Sequence, residues 1–227
     1  MKTKSKALLL TLCAALLVAA SVLGTMAYLT DTETVTNTFT VGKVDIKLDE
    51  AKVNENGQPV DKDGNVVEKL SDAPRVNGNE YHLLPGHSYT KDPTVTVLAG
   101  SEKSYVRMLV TATFDKVLND AQLATQLDDI FTGYDSSWAR NARQVAPAGE
   151  GDKAHTVITY EYRYATTVSA GEENNVLPAL FTGITIPGEW TNEQLAAIGG
   201  IQIEIVAHAI QAEGFADAAA AWAAYAA

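Results

Sequence analysis

Apolar and polar residues alternate along much of this chain, and the alternation predicts β-strands rather than helices. Val44, Ile46 and Leu48 share one parity, with Asp45 and Lys47 between them, so this stretch reads as a half-buried strand. Phe39 and Val41 carry the opposite parity. The change falls at Gly42, where a bulge or bend would return one face to the core. Further strands are expected over Thr94–Leu98 and Tyr105–Phe114, the second placing Val106, Met108, Val110, Ala112 and Phe114 on one face. Thr156–Thr166 and a last strand carrying Ile201, Ile203, Ile205, Ala207 and Ala209 complete the series.

The segments between strands carry other signals. Residues 49–80 are polar and contain Asn56-Gly57, Asp63-Gly64 and Asn77-Gly78. Such pairs favour tight hairpin turns, so an inserted segment with one or two short hairpins is expected. Helical spacing is clear once, between Asn119 and Phe131, where Leu123, Leu127, Ile130 and Phe131 share a face. The Ala, Gly and Pro of 145–152 predict a loop. A short helix is expected to begin at Thr191 with a capping-box run to Gln194 and to stop at Gly199-Gly200. Asp217 is placed to cap a closing alanine-rich helix over 217–227 that carries Trp222 and Tyr225. Many short strands with few helices predict a mainly β chain, an antiparallel sandwich formed by residues 28–227 as one domain.

The first 27 residues have a different character. Lys2, Lys4 and Lys6 precede 17 uncharged residues, Ala7 to Leu23, and the small residues Thr25 and Ala27 follow two apart. This is the layout of a secretory signal peptide cut between Ala27 and Tyr28. A retained membrane anchor is the rival reading, since 17 residues reach the short limit of a spanning helix. Cleavage would free a threonine-rich segment, 28–41, in which Val35, Phe39 and Val41 share a parity. The whole chain carries −11, and the first 27 residues hold three lysines and no acid, so the remainder carries −14. That charge argues against nucleic acid or an anionic membrane as partner after cleavage. The single cysteine, Cys13, leaves with the signal, so stability is expected from packing or assembly rather than disulfides.

With these segments in view, the chain resembles the TasA/camelysin family. The likeness runs through Gly24-Thr-Met-Ala-Tyr-Leu-Thr-Asp31 and Phe39-Thr-Val-Gly-Lys-Val-Asp-Ile46. It continues in Leu84-Pro85-Gly86, Lys91-Asp-Pro-Thr-Val-Thr-Val97, Tyr105-Val-Arg107 and the closing segment from Ile210 to Asp217. The resemblance implies an exported protein of Gram-positive bacteria, processed by a SipW-type signal peptidase, with a jelly-roll-like β-sandwich. It further implies a fibre subunit of a biofilm matrix, joined into a homopolymer by a donated N-terminal strand, with an accessory matrix protein as a further partner. Val35, Phe39 and Val41 would then be the assembly strand. The competing expectation is that this segment is the first strand of its own sandwich, since edge pairing is equally satisfied within one chain.

Enzymatic readings have little to stand on. Camelysin-type relatives imply a metalloprotease as an alternative, but His82, His87, His155 and His208 do not form the helical His-Glu-x-x-His motif. His82 and His87 flank a Leu-Pro-Gly turn and are the candidate metal pair, with Glu80 or Asp92 as a further ligand. No nucleophile elbow or phosphate loop occurs, and neither a catalytic residue nor a cofactor is expected. Asp61-Lys-Asp-Gly-Asn65 lacks the spacing of a calcium loop and reads as a hairpin turn. Tyr160, Tyr162 and Tyr164 form a stripe along one strand, read as sheet packing or, alternatively, as the glycan-stacking face of a monomeric surface adhesin. The chain ends in Ala226-Ala227 with no sorting signal, so retention at the surface is expected through assembly.

Overall fold

The structure, a computed structural model, describes residues 43–119, 130–188 and 201–225. The expected signal segment with its Ala27/Tyr28 junction, the strand bearing Val35, Phe39 and Val41, most of the 119–131 helix and the helix from Thr191 lie outside the described residues.

The described residues form a mainly β, antiparallel sandwich. Its strands are β1 (Ile46–Ala51), β2 (Arg75–Val76), β3 (Ser88–Thr90), β4 (Thr94–Val97), β5 (Ser104–Phe114) and β6 (Phe131–Thr132). They continue as β7 (Trp138–Ala148), β8 (His155–Tyr164), β9 (Asn175–Val176), β10 (Gly183–Thr185) and β11 (Ile201–Gln211), with helix α1 (Ala218–Tyr225) last. One layer is a four-stranded sheet in the order β11-β5-β8-β7. The other contains two smaller sheets, β2-β1-β4-β9 and β3-β10-β6. These two are stitched along one line, because Lys91 donates to the Thr182 carbonyl, Leu180 to Pro93 and Leu177 to Val95. The break between β3 and β4 falls at Asp92-Pro93, where proline has no N–H to offer the ladder. The chain passes between layers at most connections after β4, in the manner of a jelly roll.

Period-two patterning fixes the core. Along β5 every second residue from Ser104 to Phe114 is buried, and β8 does the same from Thr156 to Tyr162. Val106, Met108, Val110, Ile158 and Tyr160 meet Val95, Val97, Leu180, Phe181 and Ile184 of the other layer in one cluster. Complete burial of a Val, Ile or Phe side chain contributes about 1.5–3 kcal/mol, so this interface dominates the stability.

The structure revises several expectations. Strand β1 continues through Asp49, Glu50 and Ala51, all buried, so the polar insertion begins after the strand rather than at residue 49. The first half of the expected loop at 145–152 is the end of strand β7, and only 149–152 lie outside it; Pro147 is accommodated because β7 lies at a sheet edge. Phe131 belongs to a strand, not to a helix end. Two of the three glycine turns form, with bridges Val53↔Pro59 and Val60↔Val66 around Gly57 (φ 74°) and Gly64 (φ 89°). Gly78 does not take a positive φ.

Candidate functional site

The two edges of the large sheet are built differently. β7 carries an irregularity between Arg140 and Ala142, the proline at 147, and Arg143, whose guanidinium lies 5.9 Å from the Tyr160 ring. A bulge, a proline and an inward-directed charge are the devices that keep an edge from pairing. β11 has none of them. It pairs with β5 without a register break from Ile201↔Phe114 to Gln211↔Ser104, and its sequence contains no proline, lysine or arginine. Among the described residues its other edge has no strand partner.

The apolar face of β11 is also incompletely covered. Ile201, Ile203 and Ile205 are only half-buried, whereas the equivalent residues of β5 are buried. A cleft runs beside them in two parts. One, of about 310 Å³, is lined by Leu48, Glu50, Asn79, Ile203 and Ile205. The other, of about 520 Å³, is lined by Tyr81, Leu83, Ile184, Ile201 and Ile203. Lys91 and Asn79 border both parts.

Polar groups at the floor of this cleft are tightly matched. Lys91 Nζ lies 2.6 Å from Glu50 Oε2, and both side chains are buried. Asn79 Nδ2 donates to Glu50 Oε1 at 2.8 Å and to the Ala51 carbonyl at 2.9 Å. Its Oδ1 accepts the Val53 N–H at 2.9 Å. Arg75 joins Asp49 (2.8 Å) to Asp92, and Asp92 accepts the Ala51 N–H at 2.7 Å. Burial alone would raise the Asp49 pKa, but hydrogen bonds and charge from Lys47 and Arg75 outweigh it and hold the group below its ordinary 3.8. Tyr81, whose ring lies 5.5 Å from Lys91 Nζ, has its hydroxyl pKa raised by burial first and by Glu50 second. This network clamps the returning end of the insertion to β1 and to the β3–β4 junction. Sequence reasoning missed it, because adjacent acids at a strand end look like solvated loop.

The histidine pair sits elsewhere. His82 and His87 are exposed, and their backbones serve the turn: the Tyr89 hydroxyl donates to the His82 carbonyl at 2.7 Å, and His87 N–H donates to Leu84 at 3.2 Å. Among the described residues, no three His, Cys, Asp or Glu side chains gather as a metal site. Asp61 accepts the N–H groups of Asp63 and Asn65, both at 2.9 Å, so its carboxylate is engaged in its own turn. The tyrosine stripe faces inward: Tyr160 and Tyr162 are buried, and Tyr164 packs edge-on to Trp138. Tyr162 stacks on Tyr134, and their hydroxyls lie 2.9 Å apart. The burial of Tyr160 and Tyr162 agrees with the sheet-packing reading of the stripe and leaves neither ring as a surface for stacking a sugar.

His208 faces outward from β11 as the alternation predicts, yet it is half-buried under α1. Asp217 caps that helix through the Ala220 N–H at 2.9 Å. No family model, no curated protein and no solved structure matches the chain.

Proposed function

We propose that this protein is a secreted structural subunit that assembles into extracellular matrix or cell-surface fibres, each copy giving its N-terminal strand to the next. The observation that carries the reading is the contrast between the guarded edge at β7 and the regular, unguarded edge at β11. Exposed edges of this kind accept an added strand through main-chain hydrogen bonds, with alternate side chains filling pockets below. The threonine-rich segment 28–41 has the composition of such a strand, and Val35, Phe39 and Val41 match the half-covered isoleucines in chemistry. The motif likeness to the TasA/camelysin family, and with it export and SipW-type processing after Ala27, belongs to the same proposal.

A donated strand gives a head-to-tail contact that need not close, so a filament follows. Electron microscopy of residues 28–227 should show filaments, and of residues 42–227 only monomers. Filaments unchanged by the deletion would rule out strand donation.

A further inference from the structure

The geometry around Glu50 points to an intramolecular isopeptide bond between Lys91 Nζ and Asn79 Cγ, formed without cofactor. Two features carry the proposal. One buried carboxylate binds both groups, the amine on one oxygen and the amide on the other, with Lys91 Nζ at 2.6 Å from Oε2 and Asn79 Nδ2 at 2.8 Å from Oε1. The Asn79 carbonyl oxygen meanwhile accepts the Val53 N–H at 2.9 Å. That donor would stabilise negative charge developing on Oδ1 if the amide were attacked, as an oxyanion hole does. The amide orientation is fixed by its partners, since Nδ2 faces two acceptors and Oδ1 faces a donor.

Each proton and bond has a place. Lys91 Nζ gives a proton to Glu50, and the freed lone pair adds to Asn79 Cγ, moving the carbonyl π electrons onto Oδ1 beside Val53 N–H. Glu50 relays a proton from the new C–N nitrogen to Nδ2, serving first as base and then as acid. The tetrahedral centre collapses, the Cγ–Nδ2 bond breaks, and the nitrogen leaves with the remaining proton as ammonium. Glu50 finishes as the carboxylate it began as. No oxidant or activated co-reactant is needed, because folding supplies the proximity that makes an amide reactive towards an amine. The cleft bordered by Lys91 and Asn79 offers ammonia an exit. The bond would fasten the end of the 52–80 insertion to the β3–β4 junction. It would do so whether or not the protein forms fibres.

Intact-mass spectrometry of the purified full chain, followed by tryptic mapping, tests this. The expected result is a mass deficit of one ammonia, with Lys91 refractory to trypsin and a branched peptide joining Asn79 to Lys91. Succinimide formation at Asn77-Gly78 also releases ammonia, so the mapping decides between them. Glu50→Gln should restore the full mass and cleavage after Lys91. Asn79→Ala should likewise leave Lys91 cleavable and serves where Glu50→Gln fails to fold. A folded wild-type protein of full mass whose Lys91 is cut by trypsin would overturn the proposal. So would an ammonia deficit that persists in Glu50→Gln or maps to Asn77.

Discussion

Arg107 donates from Nε to the Nδ1 of His208 at 3.2 Å, so that ring nitrogen must be bare while the contact lasts. The same guanidinium lies 4.4 Å from the Trp222 ring and 5.1 Å from Tyr225, and the Tyr225 ring is 5.0 Å from the imidazole. Glu161 approaches Arg107 at 3.5 Å and Arg163 at 2.7 Å, which leaves its charge shared between two cations. Burial first, and Arg107 second, hold the His208 pKa below its ordinary 6.5. A depressed histidine pKa means the folded state binds fewer protons than the unfolded one. Its contribution is therefore intact above 6.5 and is lost as pH falls through the lower folded value. Thermal unfolding should show a lower midpoint at about pH 5 than at about pH 7, a shift of order a few degrees. His208→Gln should remove most of that difference. An equal pH response in both proteins would show that His208 plays no part. The outward placing of His208 was legible from alternation. Its neighbours were not, because Arg107 lies a hundred residues away in sequence and only the β5–β11 register brings them together.

Among the elements, long strands with clean period two were legible and short ones were not. β5, β8 and β11 follow the predicted faces, since eight or more alternating residues outweigh local exceptions. β9 and β10 have only two or three residues each and owe their pairing to the Ser88–Val97 stretch they lie against. β7 was hidden because edge guarding removes the apolar alternation by which strands are recognised: most of its residues are exposed. The same contrast makes a prediction about β11. Ile203→Lys places a charge on the half-covered face of an edge strand, the device β7 already uses. It should leave the sandwich folded, at a cost of about 1–2 kcal/mol in urea unfolding, and abolish filaments by electron microscopy. Normal filaments from a folded Ile203→Lys protein would remove β11 from the assembly surface.

For the molecule as a whole, the sandwich was legible from strand count and turn spacing, while the division into layers was not. Nothing in the sequence tells that β9 and β10 continue one line beside β3 and β4, or that β1 joins β4 and leaves β11 without a strand partner among the described residues. That arrangement gives the fibre proposal an address. The test is disulfide trapping in residues 28–227, which contain no native cysteine. Phe39→Cys would be combined in turn with Ile201→Cys, Ile203→Cys and Ile205→Cys, and the filaments oxidised and run on non-reducing gels. The account predicts a ladder of covalent oligomers from at least one pair. Cross-linked monomers alone, or filaments that no pair cross-links, would contradict it.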